Sequence, residues 1–430
     1  MTRYLLIAAA TLGLIAGLSS AQTTAEDSDA GATTNLPPPA SMDSPPSPGP
    51  AAPPSDSPVI APGPYQALDG AGANGAGAGP WISSDYLLGY FQPARLPALV
   101  TTSPAGTPRA RAGVLGLPTT STLFDGGVNS DVRSGFRISG GYWFNDERTW
   151  GLEVSFMMFE SQATFFSESS TETAILARPF TNAVTGLPNS VVVAFPGSGS
   201  GAIAARDNSG NFYETHIDLS ERICGCGWFR VDGLLGYRFF RYDEGLRIQQ
   251  TTSPTGAAFV PGTRISATDS FVAENEFNGF DLGFRTEIRG SNWTLDFLTK
   301  VATGGIFRQV KIDGNTTTTV PGAAPVTRSG GVLALSSNIG NHRSEDWTIF
   351  PEFGANLSWH ITPRLEMRLG YSFLFMNDIV RAHDQLNFNI NPGLFPPATA
   401  AAGSPNQPSF RFHIGDAWIQ AINVGVQYDF

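Results

Sequence analysis

The chain has 430 residues, of which 26 are basic and 37 acidic, for a formal net charge of -11. This acidic balance argues against a nucleic-acid partner. The sequence is rich in Gly (48), Phe (30) and Tyr (10), which suits strands and turns, and no segment repeats its apolar residues at the helical period.

The first 21 residues have the form of a secretory signal peptide. Arg3 is followed by an apolar run over residues 5–18 and by small residues that end at Ala21. A membrane helix needs about 20 apolar residues, so this run is too short to serve as a spanning anchor. We therefore predict export, and the lack of a Cys after Ala21 argues against lipoprotein anchoring.

Residues 22–80 differ in composition from the rest of the chain. Twelve prolines lie between Pro37 and Pro64, and residues 70–79 alternate Gly with Ala and Asn. Such a segment cannot bury enough apolar surface to offset the entropy lost on ordering. It is predicted to be a disordered periplasmic leader. A plug or a cell-wall-binding arm is the alternative, supported only by proline content.

Residues 81–430 contain ten segments in which apolar and polar residues alternate. In residues 365–375, for example, Leu369 belongs to an apolar set at every second position and Arg368 to the polar set between them. Period two places the two sets on opposite faces of a strand. The predicted strands cover residues 81–91, 134–144, 150–158, 211–223, 227–242, 277–288, 293–307, 347–359, 365–375 and 418–430.

The connections between these segments alternate in length. Short turns join strands two to three, four to five, six to seven and eight to nine, whereas long segments rich in Gly, Pro, Ser, Thr and Asn join the others. This pattern is typical of an up-and-down transmembrane barrel with short periplasmic turns and long external loops. We predict an all-β antiparallel barrel of ten strands with both ends in the periplasm. Twelve strands are the alternative, because residues 190–195 (SVVVAF) also read as a strand.

The eight tryptophans support a membrane barrel, because aromatic belts mark both membrane interfaces. All eight lie near predicted strand ends. Six are beside the predicted periplasmic end, and Trp347 and Trp418 are nearer the external end. Core tryptophans of a soluble sandwich would be expected in the middle of strands.

The polar residues at alternate positions of the predicted strands would face the barrel interior. It collects seven basic and seven acidic residues that we predict to line the lumen: Arg137, Glu153, Arg230, Asp232, Arg238, Asp281, Arg285, Glu287, Asp296, Lys300, Glu352, Arg364, Glu366 and Arg368. Charges in a narrow lumen must pair or stay hydrated. About eight strands are filled by side chains, whereas 16 to 18 leave an aqueous channel. The charged residues could therefore form a packed ion network or line a narrow pore.

Two further groups of residues are candidates for chemistry. Cys224 and Cys226 form Cys-Gly-Cys at a predicted tight turn, where a disulfide would be strained but feasible in an oxidising compartment. A free pair is the alternative, and a metal site would need further ligands.

Histidines raise the hypothesis of a hydrolase. His216 and Asp218 share the inward face and could orient a general base, but they are predicted to lie in the periplasmic half. His342 and the pair His383-Asp384 fall in predicted external loops without a nucleophile motif. We expect no enzyme, and no catalytic, cofactor or metal residues.

Four stretches carry a resemblance to a known family: residues 228–242 (WFRVDGLLGYRFFRY), 275–285 (NEFNGFDLGFR), 351–377 (PEFGANLSWHITPRLEMRLGYSFLFMN) and 418–430 (WIQAINVGVQYDF). The chain resembles the beta-barrel porin family seven, outer-membrane proteins found largely in planctomycete-type bacteria. The resemblance covers roughly residues 81–430. It implies an outer-membrane barrel with a pore role and supplies no catalytic residues. The terminal Phe430 resembles the C-terminal signal by which many such barrels are recognised for assembly.

We therefore expect an integral outer-membrane barrel in a Gram-negative-type envelope that acts as a narrow porin for small solutes, with a charged lumen. The alternatives are a non-conducting structural or surface-interaction barrel that displays long external loops, and an outer-membrane hydrolase. Expected partners are outer-membrane lipids and the barrel-assembly machinery, which would recognise Phe430. The permeant solute and the oligomeric state stay open.

Overall fold

Strands make up most of the chain in the computed structural model. The structure describes residues 77–128 and 130–430, so the predicted signal peptide and most of the predicted leader lie outside the described residues. The chain divides into two units, residues 1–68 and 69–430, and the described residues all belong to the second.

The described residues form eighteen strands and three short 3-10 turns. The strands are β1 Gly79–Phe91, β2 Ala94–Thr102, β3 Ser121–Val128, β4 Arg133–Trp143, β5 Trp150–Phe159, β6 Gln162–Ser169, β7 Leu176–Asn182, β8 Pro188–Ala194, β9 Gly199–Ser209, β10 Phe212–Cys226, β11 Phe229–Pro254, β12 Arg264–Arg289, β13 Trp293–Thr319, β14 Val326–Ser329, β15 Gly340–His360, β16 Leu365–Val380, β17 Asn389–Ile390 and β18 Ile414–Asp429. The 3-10 turns are Arg109–Arg111, His383–Gln385 and Pro392–Leu394. Within the described part of the chain, no helix has the length and apolar character needed to cross a membrane.

Ten strands close into a ring in the order β1, β4, β5, β10, β11, β12, β13, β15, β16, β18 and back to β1. Every neighbouring pair is antiparallel, and the closing pair runs from Trp81 opposite Asp429 to Phe91 opposite Ile419. Closure leaves no unpaired edge, as a β protein in lipid requires. The ten-strand barrel predicted from the alternation is confirmed.

The connections also follow the predicted pattern. Residues 144–149, 227–228, 290–292 and 361–364 are the short turns, and we call that end of the barrel the turn end. The opposite end, where the long segments emerge, is the loop end.

The outward face of the ring is apolar. Leu369 and Phe280 are 53% and 62% exposed, and residues on the opposite, inward face are buried or half-buried. Exposed tryptophans such as Trp228 and Trp359 lie at the turn end. Trp81 and Trp143 are exceptions to the predicted belt, because both are buried and lie on the inward parity.

The long segments predicted as loops are largely folded. β11, β12 and β13 have 26 or 27 residues each, far more than the 9 to 11 that a bilayer requires. Their loop-end halves pack with β9 and with a second sheet of β17, β7, β2, β3 and β8. We call this assembly, together with β6 and β14, the loop module. Residues 190–194 do form a strand, β8, but it pairs with β7 in the second sheet, so it adds nothing to the ring.

The filled barrel interior as candidate functional site

Arg238 on β11 lies at the centre of an ion network inside the ring. Its Nε and Nη2 donate to Asp281 Oδ2 on β12 at 2.9 and 2.8 Å. Nη2 also donates to Glu352 on β15, and Nη1 lies 3.4 Å from Glu214 Oε1 on β10. β11 and β15 are not neighbours in the ring. Because Arg238 is fully buried, its pair with Glu352 crosses the interior.

Lys300 on β13 extends the network to the other side of the ring. Its Nζ lies 2.6 Å from Asp218 Oδ2 on β10 and 2.8 Å from Asp281 Oδ2. Its side chain is 1% exposed, so these carboxylates are shielded from bulk water. A buried charge is tolerated when it is paired and hydrogen-bonded, and each charge here has such a partner.

His216 and Arg285 connect this group to the turn end. The His216 ring nitrogens lie 3.4 Å from Glu214, 3.6 Å from Asp218 and 3.9 Å from Glu153. Arg285 Nη2 on β12 donates to Glu153 Oε2 on β5 at 2.8 Å, again across non-neighbouring strands. We call these residues, with Arg238, Lys300, Asp281 and Glu352, the ion network.

Nearer the turn end, Trp143 stacks under two guanidinium groups. The Arg230 and Arg148 carbons lie 4.7 and 6.0 Å from its ring centroid. Arg230 also pairs with Asp232 at 2.7 Å, and Arg148 pairs with Asp429 at 3.0 Å. Cation–π contacts of this kind explain why this tryptophan faces inward.

The structure brings together most of the residues predicted to line the lumen. Those in ion pairs are Glu153, Arg230, Asp232, Arg238, Asp281, Arg285, Glu287, Lys300, Glu352 and Glu366. Arg137 instead donates to Met157 Sδ and Ser372 Oγ, both at 3.4 Å. Asp296 and Arg368 lie half-buried on the inward parity and have no ion pair among the described residues.

Arg364 departs from the prediction. It lies in the turn before β16 and is exposed. The alternation was extended one residue too far, because β16 begins at Leu365, after Pro363 in that turn. Sequence reasoning also missed Glu214 and Asp85 as inward charges, although both lie on the inward parity of predicted strands.

Aromatic side chains fill the interior on the loop-end side of the ion network. The members of this aromatic layer are Phe91, Phe159, Phe212, Phe240, Tyr242, Phe277 and Phe350, each no more than 1% exposed. The Phe350 ring lies 4.8 Å from Phe240 and 4.7 Å from Phe277, both edge-on. On β11 the change is abrupt, because Phe240 is the inward residue that directly follows Arg238.

The end of β16 and the chain that follows it cover the loop end of the ring. Pairing between β15 and β16 stops at Glu352 opposite Leu374, and the next residue of β15 is Pro351, which has no N–H to donate. Asn275 on β12 bonds both backbone groups of Val380, donating to its O at 2.8 Å and accepting from its N at 2.7 Å. Residues 376–386 therefore reach across to β12, although Met376, Ile379 and Val380 within β16 still pair with β18, and we call these residues the strap.

Glu244 on β11 fixes the far part of the strap. It accepts from Arg381 Nη2 at 2.8 Å and from Tyr242 Oη at 2.6 Å, and His383 Nδ1 lies 3.7 Å away. Burial alone would raise the pKa of Glu244, but the charges of Arg381 and His383 outweigh it and bring that pKa down to about 2. Burial lowers the pKa of His383 despite the nearby carboxylate.

A small cavity lies between the ion network and the aromatic layer. Its volume is about 10 Å³, and Arg137, Glu214, Glu352 and Phe159 contribute to its lining. That volume accommodates about one water molecule. Two layers of buried side chains thus occupy the middle of the interior, with the strap above them, whereas Asp296, Glu366 and Arg368 nearer the turn end are half-buried.

The structure also gives the positions of the cysteines and histidines that were candidates for chemistry. Cys224 and Cys226 are both free and exposed; they form the end of β10, after a bulge and directly before the tight turn at residues 227–228. His342 stacks on Phe410 and approaches Asn338 O at 3.0 Å. Across the described ranges, no group of three or more His, Cys, Asp and Glu side chains could hold a metal ion.

A closed ten-strand ring with an apolar outside and a polar inside defines the class of protein as a transmembrane β-barrel. The family described as "Putative beta barrel porin-7 (BBP7)" matches residues 81–430. The chain belongs to this family and is an integral outer-membrane protein.

Comparison with curated proteins finds no match. Among solved structures, the chain is similar to the outer membrane protease OmpT of Escherichia coli, with 10% identity over 81% of this chain and 97% of that chain and a TM-score of 0.38. A Pseudomonas aeruginosa FadL homologue matches with 9% identity over 82% and 90%, TM-score 0.22. The Pseudomonas putida toluene transporter TodX matches with 8% identity over 85% and 93%, TM-score 0.22.

Proposed function

We propose that this protein is a closed outer-membrane barrel whose role is to anchor and display the folded loop module at the cell surface. The observation that carries the proposal is the buried pair of Arg238 and Glu352, which crosses the interior. The aromatic layer and the strap lie beyond it on the same axis. Opening a pore would require several buried charges to lose their partners, at a cost of about 3 to 5 kcal/mol for each broken pair.

The loop module is the folded unit that such a barrel would display. It has a hydrophobic core of its own, in which Val100, Ile203, Phe271 and Ile312 are fully buried. Folded loops present a fixed surface, whereas mobile loops would have to be ordered when a partner binds. A surface-interaction or structural role fits this rigidity better than passive loops around a pore.

In this proposal the turn end faces the periplasm and the loop module faces outward. β1 begins at Gly79, next to the predicted leader, and β18 ends at Asp429, so both barrel termini lie at the turn end. Phe430 is 61% exposed, which leaves its ring accessible to the barrel-assembly machinery. The apolar outward face contacts lipid. We assign no catalytic role, because the side chains of His216 and His383 are only 13% and 7% exposed and are packed among buried charged groups.

A second candidate is a narrow, gated pore with a charged lumen. It is favoured by the family and by charges that stay partly hydrated near the turn end, where the Arg289 side chain is 37% exposed. In this candidate the strap would leave the loop end before solutes pass. The ion network would then select by charge.

Planar-bilayer recording of the purified, refolded chain tests the proposal. We expect fully inserted protein, verified by protease protection, to show no conductance steps. Ion-selective steps from the unaltered chain would refute the closed barrel. A variant with Asn275→Ala and Arg381→Ala frees the strap. If only that variant conducts, the gated pore replaces the closed anchor. Arg241→Ala, on the outer surface of β11, is the matched control.

A further inference from the structure

Cys224 and Cys226, at the end of β10, lie on the same face of the barrel wall. After the bulge in β10, Cys224 lies opposite Val231 on β11 and Cys226 lies opposite Phe229. Directly opposed residues of an antiparallel pair place their side chains on one face of the sheet. Val231 and Phe229 alternate with Arg230, which is buried on the inward face. Both thiols therefore point outward.

The two thiols are also accessible from the compartment at the turn end. Pairing of β10 with β5 ends at Glu221 opposite Trp150, so residues 224–226 pair with β11 alone. The connection to β11 is the short turn at residues 227–228. The cysteines thus lie at the tip of a two-stranded hairpin, where both are free and exposed.

The spacing of the two side chains suits a bridging ion better than a disulfide. Residues two apart on a strand have parallel side chains that are separated by about 6.6 Å. A disulfide needs Cβ atoms about 3.5 to 4.5 Å apart, so closing one would require the end of β10 to buckle. A metal ion between two thiolates lies about 2.3 Å from each sulfur, which places the sulfurs about 4.6 Å apart. Rotation about the side-chain bonds can bring the two sulfurs to that distance without moving the backbone.

The number of ligands restricts the kind of ion. Within residues 77–128 and 130–430, no third His, Cys, Asp or Glu side chain joins the two thiols in a metal-binding group. A structural zinc site needs four ligands, and the expectation that a metal would require further ligands holds for such a tetrahedral ion. Thiolates select soft ions such as Cu(I), and Cu(I) also binds two ligands in a line.

We propose that Cys224 and Cys226 form a two-coordinate binding site for Cu(I) at the turn end of the barrel. Each thiol loses its proton on binding, so one Cu⁺ replaces two protons and the bis-thiolate complex carries one net negative charge. The oxidation state of copper does not change. The thiols lie on the outward face, so the proposal does not depend on whether the barrel conducts.

Titration of the reduced, refolded chain with Cu(I) in non-ionic detergent tests the site. Oxygen is excluded, and bicinchoninate serves as the coloured competing chelator. We expect the chain to withdraw one Cu(I) from the chelator. Cys224→Ser and Cys226→Ser should each abolish this transfer, because one thiolate cannot complete the site. Met367→Leu, which removes a thioether that is 52% exposed on the outward face, should leave it intact.

X-ray absorption at the copper K edge gives an independent measurement, in which we expect two sulfur ligands and no nitrogen ligand. The proposal is overturned if the reduced chain withdraws no copper, if a folded single-serine variant still withdraws one copper, or if one copper is shared by two chains. It is equally overturned if chain extracted from native membranes without reductant contains no free thiol, because the pair is then kept as a disulfide.

Discussion

The two halves of the barrel interior differ in their side chains: one half contains paired charged residues, and the other contains aromatic residues. In the turn-end half, buried charges such as Arg238 and Lys300 are held by partners on several strands. In the loop-end half, Phe240, Phe277 and Phe350 pack against one another. The ion network depends on specific pairs, because one lost partner leaves a buried charge. The aromatic layer depends on volume, because a lost ring leaves a cavity.

Among residues 77–128 and 130–430, side chains of the ring itself occupy the middle of its interior. Long charged side chains reach across the ring and meet partners on non-neighbouring strands, and wall glycines leave room for them. Aromatic rings then cover the remaining width where the strands leave the bilayer. The two halves should therefore respond differently to truncation.

Arg238→Ala should have the largest effect. It removes the base shared by Glu214, Asp281 and Glu352, and breaking a buried pair costs about 3 to 5 kcal/mol. Urea unfolding of the refolded protein measures the loss. Arg241→Ala on the same strand removes half-exposed pairs with Asp243 and Glu274 and should cost under about 1 kcal/mol. Equal losses for the two variants would mean that the network is not the buried core described.

Phe277→Ala should cost about 3 kcal/mol, since it removes a fully buried ring and leaves a cavity. Its ring lies 5.3 Å from Phe240 and 4.7 Å from Phe350. The matched control is Phe280→Ala on the outward face of the same strand, where the ring is 62% exposed. Urea unfolding should show a clearly smaller loss for the control. If Phe280→Ala proves as costly, the outward and inward faces of β12 contribute equally and the comparison fails.

The strands of the barrel could be predicted from the sequence because alternation is a local signal. One face of each strand contacts lipid and the other faces the interior. Apolar and polar residues therefore alternate in residues 365–375 and in the other predicted strands. Loop lengths then fixed the up-and-down order. Arg364 was misplaced because a turn residue can continue the alternation without belonging to the strand.

The filling of the interior could not be predicted in the same way. Arg238 and Glu352 are separated by 114 residues, and which strands face each other across the ring depends on closure, not on local pattern. The loop module was missed because its Gly- and Thr-rich segments become strands by pairing with extensions of the barrel, as Thr316 does with Ala267. Composition alone describes such segments as loops.

Leu369→Arg and Arg368→Ala test the two faces of β16 at adjacent positions. Leu369 is outward and 53% exposed, so an arginine there should cost about 2 to 4 kcal/mol near the bilayer midplane. Arg368 is inward without an ion pair among the described residues, so its removal should leave insertion intact. Folding into lipid vesicles, followed by gel mobility, measures both. Normal insertion of Leu369→Arg would mean that the faces are reversed.

The smallest expected effect is a local one, at the boundary of the aromatic layer and the strap. The pKa of Glu244 falls to about 2 from an ordinary value of 4.5, so its ionised form stabilises the folded strap. That stability is present above pH 4.5 and is lost as the pH falls from there toward 2. Hydrogen exchange at residues 378–386 should therefore accelerate over this range, beyond the intrinsic pH dependence of exchange. In Glu244→Gln, exchange at these residues should be faster at neutral pH and show no such extra step, whereas Asp313→Asn should behave like the unaltered chain. If the step persists in Glu244→Gln, another carboxylate holds the strap, and the closed loop end does not depend on the contact with Arg381.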